Sequence, residues 1–450
     1  MMVHGLNMAE GNIKNQLITI AVPLIICDFI QQLYNTIDAI IIGRYVSDLA
    51  FAALGMAGSL MNLFFFLVIG ICTGISVIFA QFFGQKDYDS FRKEAFTACV
   101  FGGAFTLLLS FFGMFFLEEM LHMLNTPTEI FHLAKEYLNV ILGGLLFTFF
   151  FNLEAAALRA VGNTKVAVAV LFSSVATNVA LAYLFVAHWG WGISGAGMAT
   201  VISHLIAGIL FFVYIKKYFP ELLWTRKDMA IDKSFFKLSF NYGMVTALHQ
   251  CSLYFGKILV QGAVNTGGTH MISAFTAGTR LEAFANSFGS SGAAAVSIFV
   301  AQNLGAHNRE RALQGFKKGM VLLLRFGVLI SVLMIASAEQ GIAYMIGTPS
   351  SSELLNGVSY LRWVFLFYVF NYTGCIFVGL FRGTGMVSVP VIGTILQMIP
   401  RIIISYMFIE TYGLAIVGVG TGIGWIVINV FQYAVYKKVV LERMLTGLAS

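Results

Sequence analysis

The sequence predicts an all-α polytopic membrane protein, with twelve transmembrane helices in two pseudo-symmetric six-helix bundles. Composition is the first ground. Of 450 residues, 58% are hydrophobic and only 11% charged, and mean hydropathy is +0.84, whereas soluble domains carry about 25% charged residues. The second ground is a series of twelve apolar stretches, each long enough to cross a bilayer core at about 20 residues per span. The third is an internal repeat. Ala80-Gln81-Phe82-Phe83-Gly84 returns as Ala301-Gln302-Asn303-Leu304-Gly305, and Asn125-Thr126-Pro127 as Gly347-Thr348-Pro349. Tyr137-Leu138 returns as Tyr360-Leu361, Leu158-Arg159-Ala160-Val161-Gly162 as Phe381-Arg382-Gly383-Thr384-Gly385, and Ala182-Tyr183-Leu184-Phe185 as Ser405-Tyr406-Met407-Phe408. The offset between partners is nearly constant throughout. Such a period marks duplicated architecture. Six spans per copy bring both copies in from the same side, so the repeat is parallel.

The spans are expected near 17–43, 51–80, 95–118, 133–158, 166–187 and 193–215, then 236–262, 270–302, 316–340, 356–381, 387–410 and 414–436. One long polar connection, Lys216 to Lys237, separates an N-terminal bundle (1–215) from a C-terminal bundle (238–450). The polar start, MMVHGLNMAEGNIKNQ, and the length of the first apolar run argue against a cleavable signal peptide. With both termini inside, twenty Lys and Arg fall on the inner side, and the outer loops hold only Arg44 and Lys135. That asymmetry places both termini in the cytoplasm of a bacterial-type inner membrane. It also accounts for the net charge of +6 without a nucleic-acid partner. The five cysteines (Cys27, Cys72, Cys99, Cys251 and Cys375) lie in apolar runs with no CxxC. They read as small apolar residues rather than metal or redox groups.

Span 1 is the most unusual stretch. Asp28, Gln31, Gln32, Asn35 and Asp38 recur at steps of three and four, with Tyr34 beside them, so they share one face of a helix. A carboxylate at membrane depth costs about 2.5–3.5 kcal/mol on insertion scales. This stripe must therefore face protein or a water-filled cavity. Asp38, in the outer half of the span, reads as an acid that alternately holds and releases a proton or cation; the alternative is a structural acid held by neighbouring donors. Asp28 reads as a substrate or proton contact, or as a hydrogen-bonded structural acid. Pro23 interrupts the helix hydrogen bonding and permits a bend.

In span 4, Glu154 stands five residues before Arg159, and a local ion pair or an inner-gate contact is expected, with a coupling role as the alternative. Span 7 carries Gln250 and Lys257, and span 8 carries Arg280 and Glu282. A Lys257–Glu282 pair is expected; the alternatives are a Lys257 charge that repels or releases cations, and cation contact by Glu282. Arg280 is expected to snorkel. Arg401, after Pro400 in span 11, reads as a packing or gating residue. His204 and His249 read as satisfied core histidines, because no metal-ligand spacing links them. The 43 Phe, 17 Tyr, 5 Trp and 19 Met would give any cavity they line apolar contact, cation–π attraction and adaptable walls. The glycine runs at 190–197 and 418–424 follow no strand and read as close helix packing. No HExxH and no nucleophile–base motif points to an enzyme, and the acids sit in one half only, unlike a channel's repeated pore motif.

In order and duplication, these features resemble the multidrug and toxic compound extrusion (MATE) family. The matching residues are Pro23 with Leu33-Tyr34-Asn35-x-x-Asp38, the Ala-Gln-x-x-Gly after spans 2 and 8, the Arg-x-x-Gly after spans 4 and 10, and Arg280-Leu281-Glu282. The resemblance covers essentially the whole chain. It implies a secondary active antiporter that exports small amphipathic organic cations in exchange for protons or sodium ions, with membrane lipid as its other partner, no cofactor, and a monomeric state. It also implies that Asp38, Asn178 and Thr200 form an ion-coupling set. The residues themselves make Gln31, Tyr34, Asn35, Gln250 and Glu282 the candidates to line a substrate cavity, together with Asp28, which has no counterpart in the family pattern. Two further departures qualify the resemblance. The family's second span-5 carboxylate is Ala182 here, which favours a proton over sodium, and Leu259 stands where Asp38 would be duplicated. A lipid-linked precursor flippase of the same superfamily is the alternative, disfavoured by the anionic stripe.

Overall fold

The computed structural model describes residues 5–124, 126–230 and 232–440, apart from the side chain of Asn35. Every regular element among them is helical. The first bundle opens with α1 (Ile13–Tyr45), which contains Pro23, and α2 (Asp48–Gln85). Ser47 Oγ accepts the Ala50 N–H at 3.1 Å and so starts α2. Next come α3 (Tyr88–Phe115) and a short α4 (Leu117–Met123), then α5 (Thr128–Gly143) and α6 (Leu145–Ala160). A long α7 (Thr164–Ala182) continues as a π-helical segment, Tyr183–His188, and α8 (Gly192–Tyr218) closes the bundle. The second copy runs α9 (Lys233–Asn265), α10 (Gly268–Gly305), α11 (Arg309–Ala336), α12 (Ala338–Ile346), α13 (Ser351–Leu366), α14 (Tyr368–Gly383), α15 (Ser388–Tyr412) and α16 (Leu414–Val435).

The repeat extends to backbone detail. Asp87 caps α3 through the Ser90 N–H at 2.9 Å, and Asn308, its counterpart in the second copy, caps α11 through the Arg311 N–H at 3.1 Å. The residues just before these caps, Lys86 (φ 58°) and His307 (φ 57°), both adopt the left-handed conformation. It is uncommon outside glycine, so two non-glycine residues at equivalent positions mark one inherited turn.

Spans 4 and 10, expected as unbroken, are each bent pairs: α5 and α6 meet at 49°, α13 and α14 at 52°. The breaks fall at Gly144 and Phe367, which are equivalent positions of the repeat. Both leave helical geometry in the same way, Gly144 at φ −94° and ψ 2°, Phe367 at φ −96° and ψ 1°. At Gly144 the backbone packs closely on α8, since a Cβ there would run into the Val201 side chain. Among the described residues, nine helices are long and apolar enough to cross a membrane, and each bent pair completes another span. The twelfth span is α9. Its 33 residues reach about 50 Å, while Asn241, His249, Gln250 and Lys257 dilute its apolarity.

Two compact units result: Met1–Asn7 with Val22–Leu248, and Met8–Ala21 with His249–Ser450. The division cuts through α1 and α9 rather than following the 216–237 linker. Packing explains this. In the second unit, Arg311 donates to the Met8 carbonyl at 2.8 Å and to Gln16 Oε1 at 2.9 Å, and Asn303 donates to the Met8 carbonyl at 3.2 Å. In the first unit, a Cβ on Gly74 or Gly70 of α2 would strike the α9 backbone at Tyr242 or Ala247. The linker also belongs to the first unit. Arg92 of α3 donates to Asp228 Oδ2 at 3.2 Å and to the Glu221 carbonyl at 3.1 Å. Burial pushes the Asp228 carboxyl up, but the Thr225 N–H and hydroxyl together with Arg92 hold it below the ordinary carboxylate range.

Candidate ion-coupling site

Three helices of the first unit converge on one polar cluster. Tyr34 comes from α1, Asn178 from α7 and Thr200 from α8. The Tyr34 hydroxyl lies 2.8 Å from Thr200 Oγ1. Asn178 Nδ2 donates to the Tyr34 hydroxyl and to Thr200 Oγ1, each at 3.3 Å. Thr200 is also placed to donate to its own helix at the Ala196 carbonyl, at 3.2 Å. Asp38 stands one turn beyond Tyr34, is 7% exposed and lies within hydrogen-bonding reach of the Tyr34 hydroxyl.

Counting protons exposes the chemistry. Tyr34 has one hydroxyl proton, which can go to Thr200 or to Asp38 but not to both. Asp38 Oδ1 and Asn178 Oδ1 are buried with no hydrogen-bond partner. Orphaned buried acceptors are costly. A proton would relieve Asp38, and a cation or a hydrogen-bond donor would relieve either oxygen. Ala182, four residues after Asn178 on the same helix, is fully buried and offers no ligand. Among the described residues no three His, Cys, Asp or Glu side chains gather as a metal site. Directly after Ala182 the chain shifts to the π-helical Tyr183–His188 turn, a device frequent at functional sites.

The structure thus brings together Asp38, Asn178 and Thr200 with Tyr34, while the Asn35 side chain lies outside the described residues. Gln31 is exposed on α1 and Asp28 is half-buried, within electrostatic range of Arg159. Gln250 and Glu282 lie in the second unit, where Gln250 is half-buried and Glu282 Oε2 accepts the Tyr360 hydroxyl at 2.8 Å. Two expected ion pairs are absent among the described residues. Glu154 Oε2 is buried without a partner rather than bonded to Arg159, because five residues on a helix turn the side chains about 140° apart. Lys257 makes no ion pair with Glu282, whose carboxylate is bonded by Tyr360. Both histidines are held in the interior. His204 Nδ1 lies 2.9 Å from Thr148 Oγ1, with its ring stacked on Phe151 at 5.2 Å. His249 Nδ1 faces the Arg382 guanidinium at 2.9 Å. Since arginine only donates, that nitrogen is unprotonated.

Two residues escaped the sequence reading. Tyr137 of α5 is buried within electrostatic range of Asp38, although its only visible signal was its duplication as Tyr360. Glu94 of α3 is fully buried and accepts the Ser239 hydroxyl at 2.6 Å. Its place seven residues after the Asp87 cap, two turns into an apolar helix, was the clue.

A model of the MatE family matches the chain twice, over residues 23–184 and 246–407. The spacing of the two matches is that of the internal repeat. The chain belongs to the MATE family. It is therefore an integral, multi-pass membrane transporter and not an enzyme. Among curated relatives, it is 25% identical to the Probable multidrug resistance protein YpnP of Bacillus subtilis (strain 168), over 96% of each chain. It is also 25% identical to the Probable multidrug resistance protein NorM of Thermotoga maritima, over 91% of this chain and 89% of that one. Among solved structures, an outward-facing multidrug resistance MATE family transporter of the MOP superfamily superposes with a TM-score of 0.90, at 20% identity and 99% coverage of both chains. This MATE chain accordingly keeps the family fold at low sequence identity.

Proposed function

We propose that this MATE transporter exports small amphipathic cations in exchange for protons, with Asp38 as the coupling acid. The observation that carries the reading is the buried Asp38 carboxylate, one oxygen unpartnered, beside a Tyr34 hydroxyl that has a single proton to give. Charged Asp38 draws the Tyr34 proton towards itself and away from Thr200. Protonated Asp38 becomes a donor and returns that proton to the Thr200 side. One protonation event therefore rearranges contacts among α1, α7 and α8. Pro23, which lacks an N–H to donate, gives α1 a point at which to bend in response. Asp28, Gln31, Tyr34 and Asn35 serve as polar substrate contacts on α1, and Gln250 and Glu282 do so in the second unit.

A proton suits this donor set better than sodium does. Sodium favours several oxygen ligands, and Ala182 supplies none where the family carries a second carboxylate. The Lys and Arg asymmetry supports cytoplasmic termini, so protons enter as substrate leaves. The relatives named for multidrug resistance support the substrate class, and one chain carrying both halves of the repeat supports action as a monomer. The test is Asp38→Asn in everted membrane vesicles. Drug-driven proton release should be abolished while drug binding persists. Unchanged proton release would falsify the assignment.

A further inference from the structure

We propose that the groove between α6 and α8 is a membrane-facing binding site for a protonated lipophilic amine, with Glu154 as its counter-ion. The site lies within the first unit and is separate from the Asp38 cluster, so it does not rest on the export reading.

Helix geometry makes the groove. On its inward face α8 buries Ser203, Ala207 and Phe211, and there Ser174 of α7 donates to the Ser203 carbonyl at 3.3 Å. At 3.6 residues per turn, Leu205, Ile209 and Phe212 point the opposite way, and all three are exposed. Apolar side chains exposed on a spanning helix meet lipid tails, which are as apolar as they are. Phe147 and Phe150 of α6 line the same groove, with Glu154 of α6 and Gly208 of α8 between the walls. A Cβ on Gly208 would sit 3.6 Å from Glu154 Oε2 and 3.9 Å from the Phe151 nitrogen. The glycine thus leaves open the space beside the carboxyl group. The groove encloses about 250 Å³, just below the range of about 300–1,000 Å³ that encloses a whole small molecule. It therefore suits a head group whose tail stays in lipid. Counted from Ala160 and Tyr218, where the helices end, Glu154 and Gly208 lie about 9 and 15 Å along their axes.

The chemistry of the groove selects its occupant. Glu154 Oε2 is buried with no hydrogen-bond partner, and an acid at membrane depth is costly unless something pairs with it. The other polar side chain on the groove is already engaged, since His204 Nδ1 lies 2.9 Å from Thr148 Oγ1. An ammonium group supplies what is missing, a positive charge and an N–H donor, in one charge-assisted hydrogen bond. An acyl chain supplies neither, and the carboxylate repels an anion. The Phe147, Phe150 and Phe212 rings add apolar contact for the carbons next to the ammonium and cation–π attraction for the charge. Phospholipid head groups are confined to the interface, so an amine that partitions into the bilayer core fits this depth better than a lipid's own amine.

The experiment uses a dodecylamine that carries an aryl diazirine on its chain, and the matching alcohol. Each is irradiated with the full chain in phosphatidylcholine nanodiscs, and the labelled residues are mapped by mass spectrometry. At equal membrane concentration the amine should label 147–154 and 205–212 about tenfold more than the alcohol, as expected for one charge-assisted contact. Glu154→Gln should bring that ratio close to one and leave labelling by the alcohol unchanged. Gly208→Leu fills the groove and should remove the amine's excess as well, so it decides alone should Glu154→Gln fail to fold. Asp38→Asn should leave the ratio as it is, and so should replacing a third of the lipid by phosphatidylethanolamine. Equal labelling by the two probes in the native chain would make the groove a slot for acyl chains and overturn the inference. An excess that survives Glu154→Gln or Gly208→Leu would overturn it too. So would an excess lost in Asp38→Asn, which would place the amine at the coupling cluster, or one lost to phosphatidylethanolamine, which would give the groove to a lipid head group.

Discussion

Tyr34 on α1 and Thr200 on α8 share a hydrogen bond of 2.8 Å, and Asn178 on α7 bridges the same two oxygens at 3.3 Å. The bond joins helices 166 residues apart in sequence. It makes the state of Asp38, one turn along α1, a matter for all three helices. Tyr34→Phe removes the only proton that Asp38 and Thr200 compete for, yet leaves the Asn178–Thr200 bond in place. The fold should survive at a cost of about 1 kcal/mol. Proton-driven uptake into proteoliposomes should fall by roughly an order of magnitude, with its pH profile displaced, while substrate affinity changes little. Wild-type rates at every pH would show that the hydroxyl has no part in coupling.

The sequence disclosed the scaffold more fully than the site. The twelve spans and their duplication were legible because lipid forces long apolar runs, and because short stretches such as Ala80–Gly84 and Ala301–Gly305 recur at a constant offset. The breaks at Gly144 and Phe367 were not legible, since neither position carries a proline, and the close packing of Gly144 on Val201 joins residues far apart in sequence. Asp38 stood out through the energetic cost of an acid in an apolar run. Asn178 and Thr200 came only from the resemblance, because single polar residues in a span are too common to signal a site. The missing Glu154–Arg159 and Lys257–Glu282 pairs show the limit of charge matching. Opposite sign says nothing about side-chain direction or about a competing partner such as Tyr360.

The bend in span 4 offers a paired stability test. A Cβ on Gly144 would enter the branched side chain of Val201, whereas one on Gly143 would meet the flexible end of Met114 at 3.3 Å. Gly144→Ala should therefore destabilise by about 1–3 kcal/mol, and Gly143→Ala should be close to neutral. Thermal unfolding followed by fluorescence-detected size exclusion separates the two. Equal melting points would mean that α8 can shift to accept the methyl group.

The linker between the two copies of the repeat should depend on one arginine. Arg92 bonds both Asp228 and the Glu221 carbonyl, and Phe96 packs edge-on against Trp224 at 5.7 Å. Arg92→Ala removes the polar half of that anchorage and leaves Asp228 with Thr225 alone. Limited trypsin digestion should then cut at Arg226 and Lys227 several times faster than in the native protein. An unchanged digestion rate would assign the anchorage to the Phe96–Trp224 contact.

The identity of the coupling ion can be tested by adding an acid rather than removing one. Ala182 is fully buried one turn after Asn178, on the helix face that carries the orphaned Asn178 Oδ1. Ala182→Asp would put a second carboxylate beside the oxygens of Asn178, Thr200 and Asp38, and two acids with neutral oxygens make a better sodium site than one acid does. Two nearby carboxylates also repel when both are charged, so a bound cation relieves them. In proteoliposomes the native chain should respond to an imposed proton gradient and ignore sodium. The Ala182→Asp variant should acquire a sodium response, with weaker dependence on the proton gradient. A native chain driven by sodium alone would reverse the proposed ion. If the variant folds and transports but stays indifferent to sodium, the cluster around Asp38 is not where ion selectivity is set.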